Sequence, residues 1–302
     1  MQNRCARVVV KLRRCVRQAQ HTWKQWRFYI YQHFKHQLSV MFVHPCEFFC
    51  CFRETLHVAR NATETALERH GVDRRLWCDI LCAAGAVEAV FSGRFELVVQ
   101  TLQETKIAHA QWACILNTSA VVEAIYAKSL AATLKLLGNI PHDAWTGILR
   151  SRAASAAVAQ NCFPEITAAM VLAPVPLWAC ILSTRGALQA VYRRNLTRVT
   201  EALAEVEPEL WAQIMDSDGF AQAVAQDDVA QITGALQHVP GRFWADILNT
   251  NGAFESIYWR NFPELTASLH KHKVPMDDWA SFLHMSTQEV YDALYNDASS
   301  WQ

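Results

Sequence analysis

From residue 77 onward one hydrophobic pattern recurs: a tryptophan, then apolar residues three and four places further on. It reads Trp77-Cys-Asp-Ile-Leu, Trp112-Ala-Cys-Ile-Leu, Trp145-Thr-Gly-Ile-Leu, Trp178-Ala-Cys-Ile-Leu, Trp211-Ala-Gln-Ile-Met, Trp244-Ala-Asp-Ile-Leu and Trp279-Ala-Ser-Phe-Leu. Residues spaced in this way share one face of a helix, so the pattern predicts a short helix with the tryptophan turned inward. The tryptophans are separated by 35, 33, 33, 33, 33 and 35 residues. A fixed period of this size is the mark of stacked supersecondary units, none of which can bury its apolar face alone.

With positions numbered from the repeat tryptophan, five consecutive units carry a hydroxyl at +6: Thr118, Ser151, Thr184, Ser217 and Thr250. Serine and threonine accept hydrogen bonds from the orphan amides of a helix start, so a second helix is expected to begin there. Gly85, Gly186, Gly219 and Gly252 at +8 fit a tight inter-helix corner. Position +17 carries Ser129, Asn195, Asp228 and Asn261, and Pro164 and Pro263 stand at +19. Proline is tolerated in a first helical turn, so a third helix starts at this point. At +14 the residues are Phe91, Tyr126, Ala159, Tyr192, Ala225 and Tyr258, large alternating with small from Tyr126 onward. Either neighbouring units interdigitate, each ring filling the space beside a small neighbour, or the rings form a stripe for stacking a ligand. The expected fold is all-α: a right-handed α-solenoid of about seven helical repeats over 76–284, with helical caps at either end.

Residues 1–75 lack the repeat. Trp23, Trp26, Ile30, Phe34, Leu38 and Met41 step by three or four, which predicts an amphipathic helix that would cap the first repeat. At the other end Ser286-Thr-Gln-Glu289 is a capping-box pattern opening a last helix and polar tail over 285–302.

Charge adds a division that hydropathy does not show. The formal net charge is zero, yet residues 1–75 hold 14 Lys/Arg against 5 Asp/Glu, leaving 14 against 23 for the remainder. The basic head, with Arg4, Arg7, Lys11, Arg13, Arg14 and Arg17, is a candidate anion-binding arm for nucleic acid or lipid headgroups. Its Arg-rich, acid-free start also has the composition of a mitochondrial transit peptide. With 52% apolar residues the chain has core to spare, so its ten cysteines are not expected to form a disulfide framework. Cys114 and Cys180, two places after a repeat tryptophan, are expected to be small buried residues, and a reducing compartment, cytoplasm or nucleus, is expected. No run of about 18 apolar residues marks a membrane span.

The second and third helices resemble the helix pair of ankyrin repeats. Ala89-Val-Phe-Ser-Gly-Arg-Phe-Glu-Leu-Val-Val-Gln-Thr-Leu102 is similar to that family's -Ala-Ala-x-x-Gly-x-x-Glu-Val-Val-x-x-Leu-Leu stretch, with echoes at Ala124 to Leu137 and Ile257 to Leu269. The chain departs from the family in lacking Thr-Pro-Leu-His and in placing a Trp-bearing helix where the β-hairpin finger would be. The period also resembles that of TAL-effector-like DNA-binding repeats. The resemblances imply a helical repeat scaffold, and the second of them a nucleic-acid partner.

The chain carries no Walker loop, dinucleotide-binding glycine fingerprint, His-Glu-x-x-His or Gly-x-Ser-x-Gly motif, and no catalytic residue, cofactor or metal site is assigned. His44, Cys46, Cys50, Cys51, His57, Cys78 and Cys82 have ligand chemistry but no finger-like Cys-x-x-Cys spacing. More telling is position +7, which reads Ala84, Ser119, Arg152, Arg185, Asp218 and Asn251 while its neighbours stay nearly constant. Repeat scaffolds tune a binding edge in this way. Ser119, Arg152, Arg185, Asp218 and Asn251, read as residues of the inter-helix loop and extended by Arg193 and Arg194, are therefore the candidate partner-binding residues, with binding expected on that loop edge or on the concave face of the solenoid. A protein partner is expected because the acidic body would repel a nucleic-acid backbone; DNA read by the variable residues with the basic arm on phosphates is the alternative.

Overall fold

The structure, a computed structural model, describes residues 61–285 together with residues 289 and 290. The basic arm, the amphipathic segment Trp23 to Met41, the ligand-type residues His44 to His57 and positions 286–288 of the capping box lie outside the described residues. The chain divides into two compact units, Met1–Ala62 and Thr63–Gln302, and the repeats occupy the second.

The described residues contain helices and no strand. They run in triplets: α1 (Arg74–Leu81), α2 (Ala84–Phe91) and α3 (Phe95–Glu104); α4 (His109–Leu116), α5 (Ser119–Tyr126) and α6 (Leu130–Leu136); α7 (His142–Arg150), α8 (Arg152–Ala159) and α9 (Phe163–Ala169). The series continues with α10 (Trp178–Ile181), α11 (Arg185–Arg193) and α12 (Leu196–Ala202); α13 (Pro208–Asp216), α14 (Asp218–Gln226) and α15 (Val229–Leu236); α16 (Trp244–Leu248), α17 (Asn251–Tyr258) and α18 (Phe262–Lys271); and finally α19 (Trp279–Phe282). Each helix packs on its counterpart in the next triplet, so that first, second and third helices form three parallel rows.

Helices of four to ten residues are too short to be stable alone, and what holds these is burial. Trp112, Trp145, Trp178, Trp211, Trp244 and Trp279 are buried, with the apolar +3 and +4 residues beside them. Trp77, first in the row, is half-buried. Each of the seven indole N–H groups donates to the carbonyl five residues earlier, from Trp77 to Val72 (2.9 Å) through Trp178 to Ala173 (3.1 Å) to Trp279 on Val274 (3.0 Å). The ring thus fills the core while its polar edge is satisfied by the chain that enters the helix.

The +6 hydroxyl closes the first helix and opens the second. Ser151, Thr184, Ser217 and Thr250 each donate to the carbonyl at +3 and accept from the amide at +9; Ser151 does so at 2.7 Å and 3.2 Å. Thr118 makes the first of these bonds, to Ile115 at 2.7 Å, and no side-chain cap bond. The second helix then ends in a left-handed residue at +16 in each of the six units where it is described: Gly93, Lys128, Asn161, Arg194, Asp227 and Arg260, with φ between +54° and +67°. The amide after it reaches back to the carbonyl at +12, as Asn195 does to Ala190 at 3.0 Å. This is the Schellman closure, and it directs the chain into the third helix.

Two sequence expectations are corrected. The +8 glycines form no corner; they lie within the second helix, where the next unit's first helix ends against them. A Cβ on Gly186 would stand 2.5 Å from the Met215 carbonyl oxygen and one on Gly219 would stand 2.6 Å from that of Leu248. Where alanine occupies the position, the Ala153 amide donates to the Leu182 carbonyl at 3.3 Å. The glycine requirement is closeness between units, not backbone freedom. Cys114 and Cys180 are exposed, not buried. Two residues after an inward tryptophan a helix has turned about 200°, so +2 must face solvent.

Trp178→Ala is expected to destabilise the chain by about 3–5 kcal/mol through lost burial and the cavity left behind. Gly186→Ala is expected to cost about 1–3 kcal/mol by forcing neighbouring units apart. Chemical denaturation of both variants checks this, and an unchanged midpoint for either would contradict the packing described.

Candidate interaction surface

The second helices are lined up side by side, α2 on α5, α5 on α8, and so on to α17. Their small inward residues permit this: Ala89, Ala124, Ala157, Ala190, Ala223 and Ser256 at +12 are fully buried. The opposite face carries +7, +11 and +14, which are spaced by four and three residues and therefore share one stripe. In the six units from Trp77 to Trp244, +7 is exposed and +11 is half-buried.

Position +14 bears on both readings of the aromatic alternation. Phe91, Tyr126, Tyr192 and Tyr258 are 61%, 51%, 55% and 52% exposed. The rings are therefore not core residues: +14 lies seven residues from the solvent-facing +7 and points the same way. They stand on the solvent-facing side of the second-helix row, beside the small residues of the neighbouring units. Trp259, beside Tyr258, is 71% exposed and packs edge-on to it at 5.0 Å between centroids. Position +10 adds half-buried Val122 and Leu188 and the exposed Phe254 in the same units, with Ser155 and Ala221 between them. Large residues thus alternate with small at two neighbouring positions of one surface.

The predicted partner-binding residues fall on this face, with a change of role. Ser119, Arg152, Arg185, Asp218 and Asn251 are the first helical residues of α5, α8, α11, α14 and α17, not loop residues. All five are exposed, but some hold the next unit. Arg185 pairs with Asp218 and donates to the Asp216 carbonyl, and its amide donates to the Asp216 carboxylate at 3.2 Å. The Asp218 amide is likewise received by Asn249 at 3.2 Å, and the Ser119 hydroxyl reaches the Arg150 carbonyl at 3.4 Å. No side-chain hydrogen bond ties Arg152 or Asn251 in this way among the described residues.

Arg193 and Arg194 sit at the other end of α11. Arg193 donates to the Ala225 carbonyl of the following unit, and Arg194 to the Gln160 carbonyl of the preceding one at 3.1 Å. These oxygens belong to helix ends, where a cation satisfies an orphan acceptor and meets the negative end of the helix dipole. Among the described residues neither is paired with a carboxylate. Arg198, by contrast, is paired with Asp227 at 3.1 Å, and Arg260 with Asp228 at 3.2 Å. The expected basic patch of the fourth unit is thus partly neutralised and partly available.

No family model, curated protein or solved structure matches the chain. The surface must therefore be read from its own chemistry. No group of three metal-ligating side chains occurs among the described residues. A small cavity between α12 and α15, lined by Asn195, Arg198 and Asp227 among others, has about 20 Å³, room for one water molecule. Burial pushes the Cys162 thiol above its ordinary pKa, with Glu165 adding to the rise and Arg194 opposing it. A raised thiol stays protonated at neutral pH and is a poor nucleophile.

The sequence signal for the exposed rings was present but ambiguous, because large–small alternation serves both packing and display. Tracking the solvent-facing +7 around the helix would have resolved it. The left-handed +16 residue was missed; Gly93, Asn161 and Asp227 are favourable there, but Lys128, Arg194 and Arg260 hide it.

Tyr192→Ala is expected to change stability by no more than about 0.5 kcal/mol, as for other surface substitutions. Urea denaturation checks this. A loss near 3 kcal/mol would mean that the ring is part of the core.

Proposed function

We propose that residues 76–284 form a right-handed α-solenoid of about seven repeats that acts as a non-enzymatic scaffold, binding a protein partner through the outer face of the second-helix row. The observation that carries this reading is the set of aromatic side chains, Phe91, Tyr126, Tyr192 and Tyr258, more than half exposed, at one position in four of the units. Soluble proteins rarely leave a contiguous apolar patch uncovered unless something docks there. Tyrosine and arginine are the residues that most often anchor such interfaces.

The remaining features fit a binding surface. The +7 residues vary in charge while the framework around them stays fixed, which supports a recognition role for Ser119, Arg152, Arg185, Asp218 and Asn251. Ligand-binding pockets usually measure about 300–1,000 Å³, whereas the cavity between α12 and α15 has about 20 Å³. No helix among the described residues is long and apolar enough to cross a membrane.

A nucleic-acid partner is the second reading, favoured by basic residues beside the rings: Tyr126 is followed by Lys128, Tyr192 by Arg193 and Arg194, and Tyr258 by Arg260. Aromatic platforms with cations suit single strands. The acidic excess of 23 over 14 in residues 76–302 weighs against it.

The test is affinity capture from a lysate with two variants beside the parent: Arg152→Ala/Arg185→Ala/Asp218→Ala and Tyr126→Ala/Tyr192→Ala/Tyr258→Ala. Both are expected to keep a parental melt and to lose the captured protein, with affinity falling roughly tenfold or more for each anchor removed. Identical capture by all three chains would place the working surface elsewhere. Binding of mixed DNA whose affinity falls steeply with salt would favour the second reading.

A further inference from the structure

The second-helix face has a period of two units. Tyr126, Tyr192 and Tyr258 are each 66 residues apart, and Ala159 and Ala225 are separated by the same distance. The same rhythm runs through the capping hydroxyl, threonine in Thr118, Thr184 and Thr250 against serine in Ser151 and Ser217. It also runs through the left-handed +16 residue, which is basic in Lys128, Arg194 and Arg260 and is Asn161 or Asp227 in between. These three positions, together with the large and small residues at +10, alternate in step from Tyr126 onward and describe a face built from pairs of units. Its ridges are α5, α11 and α17, and its troughs lie over α8 and α14.

The troughs have the dimensions of a helix site. Ridge and floor helices are neighbours, so two ridges stand about 16–20 Å apart between axes, at 8–10 Å per neighbouring pair. A helix with side chains is about 10–12 Å across, which fills that interval. The floor of the first trough is small, with Ser155, Ala156 and Ala159 half-buried or exposed. Its walls are the rings of Tyr126 and Tyr192. The floor helix α8 has eight residues and is therefore about 12 Å long, enough to seat two turns of a partner.

Charge separates the two troughs and names the occupant. The first is bordered by Arg152 at one end and by Lys128 and Arg194, the latter on the Gln160 carbonyl, at the other, and none of the three is ion-paired among the described residues. One wall carries the half-buried carboxylate of Glu123. The second trough is bordered by Asp218 and Asp227, already paired with Arg185 and Arg198, by Arg260, paired with Asp228, and by Arg193, which lies on the Ala225 carbonyl of its floor. Its border mixes both signs and most of its charges are paired, whereas that of the first trough is basic and unpaired.

We infer that the trough over α8, between Tyr126 and Tyr192, is the docking site for an acidic amphipathic helix of a partner protein. The helix lays apolar residues spaced i, i+3 or i+4, and i+7 over Ala156 and Ala159, between the two rings. Acidic residues flanking those anchors meet Arg152 at one end and Lys128 and Arg194 at the other. The inference rests on the proposed role of the second-helix face and assigns the partner's chemistry to one place on it.

The experiment pans a random 16-residue peptide library on phage against the full chain, then measures selected synthetic peptides by fluorescence anisotropy. Enriched peptides are expected to carry a net negative charge and apolar residues at helical spacing. Ala159→Gln, which fills the floor, and Lys128→Glu/Arg152→Glu, which reverses the border, should each weaken binding at least tenfold. Ala225→Gln, the equivalent change in the other trough, should leave it within twofold. Failure to enrich peptides, enrichment of basic or unpatterned ones, or displacement by an equimolar mixed 20-nucleotide single strand overturns the inference. So does an equal or larger response to Ala225→Gln, although that result leaves the proposed role of the face standing. Peptides indifferent to both floor changes and to Tyr192→Ala would remove the two together.

Discussion

The bond from each tryptophan indole to the carbonyl five residues upstream is the constraint on which the other features depend. A ring of this size must be buried for a helix of one or two turns to persist, and its N–H must then find an acceptor. By taking the carbonyl of the entering chain, the ring fixes the angle at which each unit begins. Bonds between 2.8 and 3.1 Å recur at all seven of these tryptophans, so the entering chain meets each ring in the same way. The hydroxyl switch at +6 and the left-handed turn at +16 then divide the chain into three helices at fixed intervals. Regular entry and division are what bring side chains 33 residues apart into one row.

Between units the contacts are of two kinds, and they do different work. Apolar burial and close backbone approach at Gly186 and Gly219 set the distance. Polar stitches at the surface set the register: Arg94 on the Ile125 carbonyl at 2.8 Å, Gln226 on Tyr258 at 3.0 Å, and the pairing of Arg185 with Asp218. Such exposed ion pairs contribute at most about 1 kcal/mol each. Their value lies in holding helix ends whose carbonyls would otherwise lack partners. Several arginines that look like a ligand patch in the sequence are therefore engaged with the protein itself.

Much of the architecture was legible because its determinants are local. Trp, +3 and +4 give an inward face, Ser151 and Thr184 a cap, and Pro164 a first turn, and all of these depend on a few residues in sequence. What escaped depends on the neighbouring unit. The glycine at +8 is needed because Met215 or Leu248 ends against it, and no property of the glycine's own segment reveals that. The exposure of Tyr126 and Tyr192 follows from which side of the second-helix row is covered, which periodicity within one helix leaves open. Arg185 and Asp218 vary in sequence as binding residues would, and only the contact across the boundary shows that they also bind each other.

The two-unit rhythm limits how such a chain can change in length. Loss or gain of a single unit would set two tyrosine-bearing helices, or two alanine-floored ones, side by side, crowding the rings in the first case and widening the trough beyond one helix in the second. A step of 66 residues, as between Tyr126 and Tyr192, would keep ridges and troughs in phase. Growth or shortening that preserves this alternation must then proceed by pairs, so that the repeating unit of this surface is twice the structural one.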